Sequence, residues 1–331
     1  MARPSFLPDN FTIALVFTVV LATLLPARGS GVHFFETLTT AAVAALFFLH
    51  GAKLSREAII AGITHWRLHL LILASTFVMF PVLGWVLRPV LQPLVTPELY
   101  TGVMFLCVLP ATVQSAIAFT SMARGNIPAA VCSASASTLL GVFITPLLAS
   151  LLVTHGQGAS SLDSIGRILL QLMLPFCVGH MLRPWIGGFV KKNAKLLTLV
   201  DRGSILLVVY TAFSAAVVEG LWRQISASAL AGLLVVCAVL LALALTLTTW
   251  TARRLGLSKA DEITAVFCGS KKSLASGVPM ANVLFASSAV GAIVLPLMVF
   301  HQMQLMVCAV LAQRYARRPE PAATISSAVG S

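Results

Sequence analysis

The sequence predicts an all-α polytopic membrane protein: ten transmembrane helices in two inverted five-helix repeats, with the fourth and ninth helices broken. Three observations predict it. The 331 residues are 58% apolar and only 10% charged, with mean hydropathy +0.96, whereas a soluble domain carries about 25% charge. Ten apolar stretches recur, at 11–27, 33–52, 68–92, 98–122, 127–153, 165–185, 199–219, 226–250, 262–285 and 288–313. The basic residues gather at alternate connections. With the N-terminus inside, the inner segments hold sixteen Lys and Arg, among them Arg56, Arg67, Lys191, Lys192, Arg253 and Arg314. The outer segments hold Arg28, Arg88, Arg167 and Arg223. The positive-inside rule then places both termini in the cytoplasm, and five spans per half leave the halves inverted. The net charge of +12 thus reflects topology in a lipid bilayer and calls for no nucleic acid.

The elements follow in order. The run from Phe11 to Leu25, preceded by Arg3, has the outline of a signal peptide, but it lacks a clean small-x-small cleavage site and is long enough to remain as the first span. Glu36 and His50 on the second span and Glu219 on the seventh lie near span ends, where snorkelling or surface roles are expected. KLSREAIIAGITHWR at 53–67 is too short to span; its alternating basic and apolar residues predict an inner interfacial segment. VKKNAKLLTLVDR at 190–202 predicts a similar one between spans six and seven. The third and eighth stretches are the cleanest. Asn126 after Gly125 is placed to cap span five. Pro110, Pro146, Pro175, Pro279 and Pro296 predict helix breaks or kinks. The polar tail from residue 316 predicts disorder. The boundaries are 1–158 for the first repeat, 159–315 for the second and 316–331 for a cytoplasmic tail.

The ninth stretch carries the most informative residues, CGSKKSLASGVPM at 268–280. A helix starting near Asp261 puts Lys271 and Lys272 about 15–17 Å in, at about 1.5 Å per residue. That is near the middle of a hydrocarbon core about 30 Å thick, where a charge costs on the order of 3 kcal/mol and needs a partner or a wet cavity. PATVQSAIAFTSM at 110–122 aligns with this segment without gaps at an offset of 158 residues. Ser115 then matches Ser273, Thr112 faces Ser270 and Gln114 faces Lys272. Polar breaks in equivalent places of two halves mark a transport site. The lysine pair reads as a tethered cation, an anion-binding charge or a proton carrier, or else as a helix end facing water. Adjacent helical residues point about 100° apart, so one of the two, Lys272, is expected to face the site. Thr112, Gln114, Ser115, Ser270 and Ser273 read as ligands around unwound backbone, or as polar glue between helices. In CSASAST at 132–138, Ser133, Ser135 and Ser137 favour close packing, with a ligand role open for Ser133. His301, beside Gln302 on the tenth span, can shuttle protons or serve structure, and Gln304 is a weaker candidate. The six cysteines are scattered through apolar stretches and read as small buried hydrophobes. There is no P-loop, GxSxG, HExxH or paired intramembrane carboxylate, so neither an enzyme, an ATP-driven pump nor a bound cofactor is expected.

QLMLPFCVGHMLRPW at 171–185 resembles the sixth span of the bile acid:sodium symporter superfamily, and ARGN at 123–126 resembles its turn between spans four and five. FFLHGAKLSREAI at 47–59 and GSKKSLASGVP at 269–279 resemble its SBF-like branch. The resemblance covers about 11–315. It implies a panel domain of spans 1, 2, 6 and 7, and a core of spans 3–5 and 8–10 in which the broken spans cross. It also implies a small organic anion carried through the inner membrane, usually with sodium, and a His-Asn pair lining the cavity where this chain has His301 and Gln302. The family's ninth-span ExGxQN motif holds one sodium; here Phe267 takes the Glu position and Lys271 and Lys272 the Gln-Asn. The second sodium site implies Gln114 and Ser115 as remnants of a Ser-Asn pair, with Ala130 and Ala134 in place of Ser and Thr. The resulting expectation is that a lysine ammonium replaces a bound sodium, partnered by carbonyls and hydroxyls freed at the breaks. That brings sodium coupling into question and makes the proton a competing coupling ion. The alternative from a different class is a non-transporting membrane regulator, which a collapsed, dry crossover would favour.

Overall fold

The computed structural model describes residues 10–53, 65–153, 162–218, 220, 223 and 225–318. The described residues are helical, with no strand among them. The helices are α1 (Asn10–Leu24), α2 (Ser30–Lys53), α3 (Trp66–Val86), α4 (Pro97–Val108), α5 (Gln114–Met122), α6 (Ile127–Leu152), α7 (Leu162–Lys192), α8 (Ala194–Val218), α9 (Ala227–Arg254), α10 (Lys259–Gly269), α11 (Leu274–Leu284) and α12 (Ser287–Ala316). Among the described residues six of them, α2, α3, α6, α8, α9 and α12, are long and apolar enough to cross a membrane on their own. Large apolar side chains such as Phe17, Trp85, Leu151 and Trp185 are exposed on the outside of the bundle, as lipid-facing helices require. This is a polytopic membrane protein.

Short polar side chains start the helices where the sequence places them. Thr96, Asn126, Ser226, Ser258 and Ser273 each accept a hydrogen bond from the backbone N–H three residues on, which satisfies one of the orphan donors of a first turn. The expected Asn126 cap is present, and the Asn126 amide also donates to Asp261 Oδ1 at 2.8 Å.

Several expectations are corrected. Of the breaks or kinks expected at prolines, a break is absent at Pro146, Pro175, Pro279 and Pro296, which lie inside α6, α7, α11 and α12. Packed neighbours can take over a carbonyl that proline leaves free, and only Pro110 lies at a helix end. The 190–202 stretch is not a separate connecting segment: α7 runs to Lys192 and α8 begins at Ala194. Cys177 is exposed, while the other five cysteines are buried and all are free thiols. Most of the 53–67 segment, the 158/159 boundary, Glu219 and the tail beyond 318 lie outside the described residues.

Four helices, α1, α2, α7 and α8, pack on one another. Thr39 and Thr211 hydroxyls hydrogen-bond between α2 and α8 at 2.9 Å. The α2–α7 contact is backbone against backbone: a Cβ on Gly51 would lie 2.0 Å from the Phe176 carbonyl oxygen, and one on Gly179 would lie 2.0 Å from that of Phe48.

Candidate functional site

The two breaks meet. One runs from Leu109 to Val113 between α4 and α5, the other from Ser270 to Ser273 between α10 and α11. Ser273 N–H donates to the Pro110 carbonyl at 2.9 Å, joining them directly. Gly141 lies close under Pro110, where an added Cβ would come within 2.6 Å of the proline ring.

Each carbonyl at the first break can be followed to its partner. Val108 O accepts from the Thr145 hydroxyl at 2.9 Å. Cys107 O would ordinarily accept from Ala111 N–H, but that N–H goes to Ser137 Oγ at 3.0 Å. Pro110 has no N–H to offer. Cys107 O and Leu109 O are therefore left without backbone donors at the C-terminal, electronegative end of α4.

A third orphan arises on α3. Residues Ser75–Met79 form a π-turn, in which Phe80 N–H bonds Ser75 O. Thr76 O then falls to the N–H of residue 81, which is Pro81 and has none.

Lys272 Nζ closes all three gaps, donating to Thr76 O at 2.7 Å, Cys107 O at 2.8 Å and Leu109 O at 2.7 Å. The ammonium has three donors, and all three are used. It also lies over the Phe80 ring, 4.3 Å from the centroid. The Lys272 backbone is held as firmly, since its N–H donates to Gln304 Oε1 at 2.9 Å and its carbonyl accepts from Gln304 Nε2 at 3.0 Å. Gln304 Nε2 is also 2.9 Å from His301 Nδ1.

Lys271 points elsewhere. Its Nζ donates to Ser115 O at 3.0 Å and lies over the Phe119 and Phe267 rings, 3.9 and 5.4 Å from their centroids. Both lysines are fully buried. The expectation that one of the pair faces away is therefore corrected: the residues leave the unwound stretch in different directions, and each ammonium is enclosed by its own carbonyls and rings.

Beside the crossover lies a cavity of about 460 Å³, walled by α1, α2, α7 and α8 on one side and by the breaks, α6 and α12 on the other. Thr112, Gln114, Ser115, Ser273 and His301 line it. Lys271, Lys272 and Ser270 do not line it. Gln302 also lies outside the lining. Ser133 is turned to His69, with Oγ 2.6 Å from Nδ1, because both are buried where α3 meets α6. Ser137 bonds the first break as well as packing.

Sequence reasoning missed several members. His50 and Arg202 line the cavity, although His50 is near a helix end and Arg202 was assigned to a connection. Gln304 is central where a weaker candidate was expected. Its spacing from His301, one helical turn, was the available signal. Thr76 contributes only its carbonyl, for which the following Pro81 was the sole clue.

A Gln304→Leu variant leaves the buried N–H and C=O of Lys272 without partners, at about 1–3 kcal/mol each. A drop in thermal stability is expected, with Gln304→Glu closer to wild type than Leu; equal stability of Leu and wild type would show the amide to be dispensable.

An all-helical membrane protein with two buried lysines at a crossover of two broken helices, beside a cavity, has the build of a carrier, not of an enzyme. The sequence profile of the SBF-like CPA transporter family matches residues 9–317, and the chain belongs to that family. It is 68% identical to the uncharacterized protein PA2026 of Pseudomonas aeruginosa, over 98% of this chain and 97% of that one. It is 61% identical to YfeH of Escherichia coli, whose name gives it as a candidate symporter, over 94% of both chains. It is 27% identical to the sodium/bile acid cotransporter 7-B of Xenopus laevis, over 91% of this chain and 90% of that protein.

Proposed function

We propose that this chain is a secondary transporter of a small organic anion, working by alternating access, in which tethered ammonium groups stand where relatives would bind sodium. One observation carries the reading: Lys272 Nζ is held by three backbone carbonyls released at helix breaks. Unwound carbonyls and half-helix C-termini are what transporters use to coordinate a cation. Lysine carries a positive charge into that place without an ion from solution. Lys271, held by Ser115 O at the remnant of the second sodium site, does the same there.

The family membership, the joined breaks and the 158-residue offset support ten spans in two inverted repeats. The residue-by-residue correspondence of α4–α5 with α10–α11 supports the same reading. In that reading α1, α2, α7 and α8 form the panel, the remaining helices form the core, and the cavity lies between them. The cavity is lined by Arg202, His50 and His301 and, among the described residues, by no carboxylate, which suits an anion. The name of the Xenopus relative supports an organic one. Phe11, Thr198 and Arg202 lie at the ends that the basic residues place inside, so this is an inward-facing arrangement in an inner membrane, with both termini cytoplasmic. A cavity of this size favours a transporter over a non-transporting regulator. With cations already supplied by the lysines, the proton is the coupling ion for any uphill movement.

The experiment is a screen of organic anions against the purified protein by thermal shift, followed by uptake into proteoliposomes in sodium and in choline. Ser135 lines the cavity, so Ser135→Trp is expected to abolish both the shift and at least nine-tenths of uptake (about 1.4 kcal/mol per tenfold) while leaving basal stability near wild type. Uptake that continues through a filled cavity, or that requires sodium, would overturn the proposal.

A further inference from the structure

The inner ends of α9 and α12 enclose a second concavity, of about 720 Å³, which neither crossover lysine lines. Its walls are apolar, formed by Leu245, Trp250, Met306, Val307 and Val310. The Thr246 and Thr249 hydroxyls within it bond their own helix, to Ala242 O and Leu245 O, so they offer little to a polar solute. Trp250, Met306 and Val307 are exposed. At the mouth stand Arg253, Arg314 and Tyr315.

The dimensions and charge select an occupant. From Arg253 back to Leu245, and from Arg314 back to Met306, the groove runs about 12 Å at 1.5 Å per residue, close to the half-thickness of a hydrocarbon core of about 30 Å. It therefore spans one leaflet. Its mouth keeps a positive charge, because the single Glu262 carboxylate there serves two cations: Arg253 at 3.3 Å and Lys259 at 2.6 Å. The Arg253 side chain remains 62% exposed despite that contact. Among the described residues no carboxylate pairs with Arg314, which is exposed. Arg254 lies over Trp250, 5.4 Å from the ring centroid, and tryptophan favours the headgroup level.

We infer that this groove is a binding site for an anionic phospholipid of the inner leaflet, with an acyl chain against α9 and α12 and the phosphate between Arg253 and Arg314. Basic pockets between helices on the cytoplasmic side recognise such headgroups, and the fork of arginine suits phosphate oxygens. The site lies on α12, the helix whose Gln304 clamps Lys272, and a bound lipid would steady it.

The test compares the thermal stability of the full chain in detergent after adding phosphatidylglycerol, phosphatidylcholine or inorganic phosphate. A rise of several degrees is expected with phosphatidylglycerol alone. Arg314→Gln is expected to lose at least half of that rise, and Val310→Trp, which fills the groove and keeps both arginines, nearly all of it. If Arg314→Gln does not fold, Val310→Trp decides. An equal rise with phosphatidylcholine would make the site a general lipid face and overturn the proposal. So would a rise reproduced by phosphate alone, or one that survives in the variants.

Discussion

Lys272→Met is expected to destabilise the folded protein by about 3–5 kcal/mol, the range seen when one partner of a buried charged arrangement is removed. The reason is the asymmetry of the site. Burying an ammonium is costly, and deleting it together with its partners can be neutral or better. Here the partners are the carbonyls of Thr76, Cys107 and Leu109, which no substitution deletes. Each would be left buried without a donor, at about 1–3 kcal/mol. Lys272→Arg is expected to fare little better, since a planar fork cannot converge on three carbonyls as a point donor does. Thermal unfolding in detergent is the measurement. A methionine variant as stable as wild type would show the three bonds to contribute nothing net.

Gly51→Val is expected to prevent assembly of α2 with α7. Packing between membrane helices comes from close approach of small residues, and the Cβ of any larger residue at Gly51 would lie 2.0 Å from the Phe176 carbonyl oxygen. The neighbour is backbone, so the helices must separate along their whole contact. The cost exceeds the about 1–3 kcal/mol of ordinary overpacking. The expected readout is loss of monodisperse protein on size exclusion, with Gly187→Ala, whose Cβ would meet only Arg183 Cγ at an ordinary 3.5 Å, as the silent control. A well-folded Gly51→Val protein would contradict the helix placement.

Much of this was legible in the sequence for physical reasons. Helix positions follow from hydropathy and length, because lipid forbids unpaired backbone. The breaks were legible from Pro110 and from the polar residues between two short apolar runs. That Lys271 and Lys272 need enclosure followed from their place between two apolar runs, and both are buried. Carbonyl and hydroxyl partners were expected, and Lys272 has carbonyls alone.

Which carbonyls, and for which lysine, was not legible. Backbone orphans carry no residue signature, and Thr76 O is freed by a π-turn whose only trace is Pro81. Both lysines are used because the chain is unwound between Gly269 and Leu274, so the helical rule that separates neighbours by about 100° does not hold there. The prolines were less informative: four of the five sit inside continuous helices, so proline alone does not mark a break. Arg202 was assigned to a connection because basic residues at 191–195 resemble a loop, although the helix begins at Ala194.

The claim that lysine stands in for a bound cation is tested most directly by thermal stability in sodium against choline, for wild type and Lys272→Ala. The account predicts no difference between the salts in wild type, whose carbonyls are already engaged. It predicts a lower melting point in Lys272→Ala, partly restored by sodium but not by choline, with a stabilisation of about 2.7 kcal/mol at one hundred times the dissociation constant. A sodium-specific shift in wild type, equal to or larger than that in the variant, would mean that a cation site exists beside Lys272 and would contradict the account.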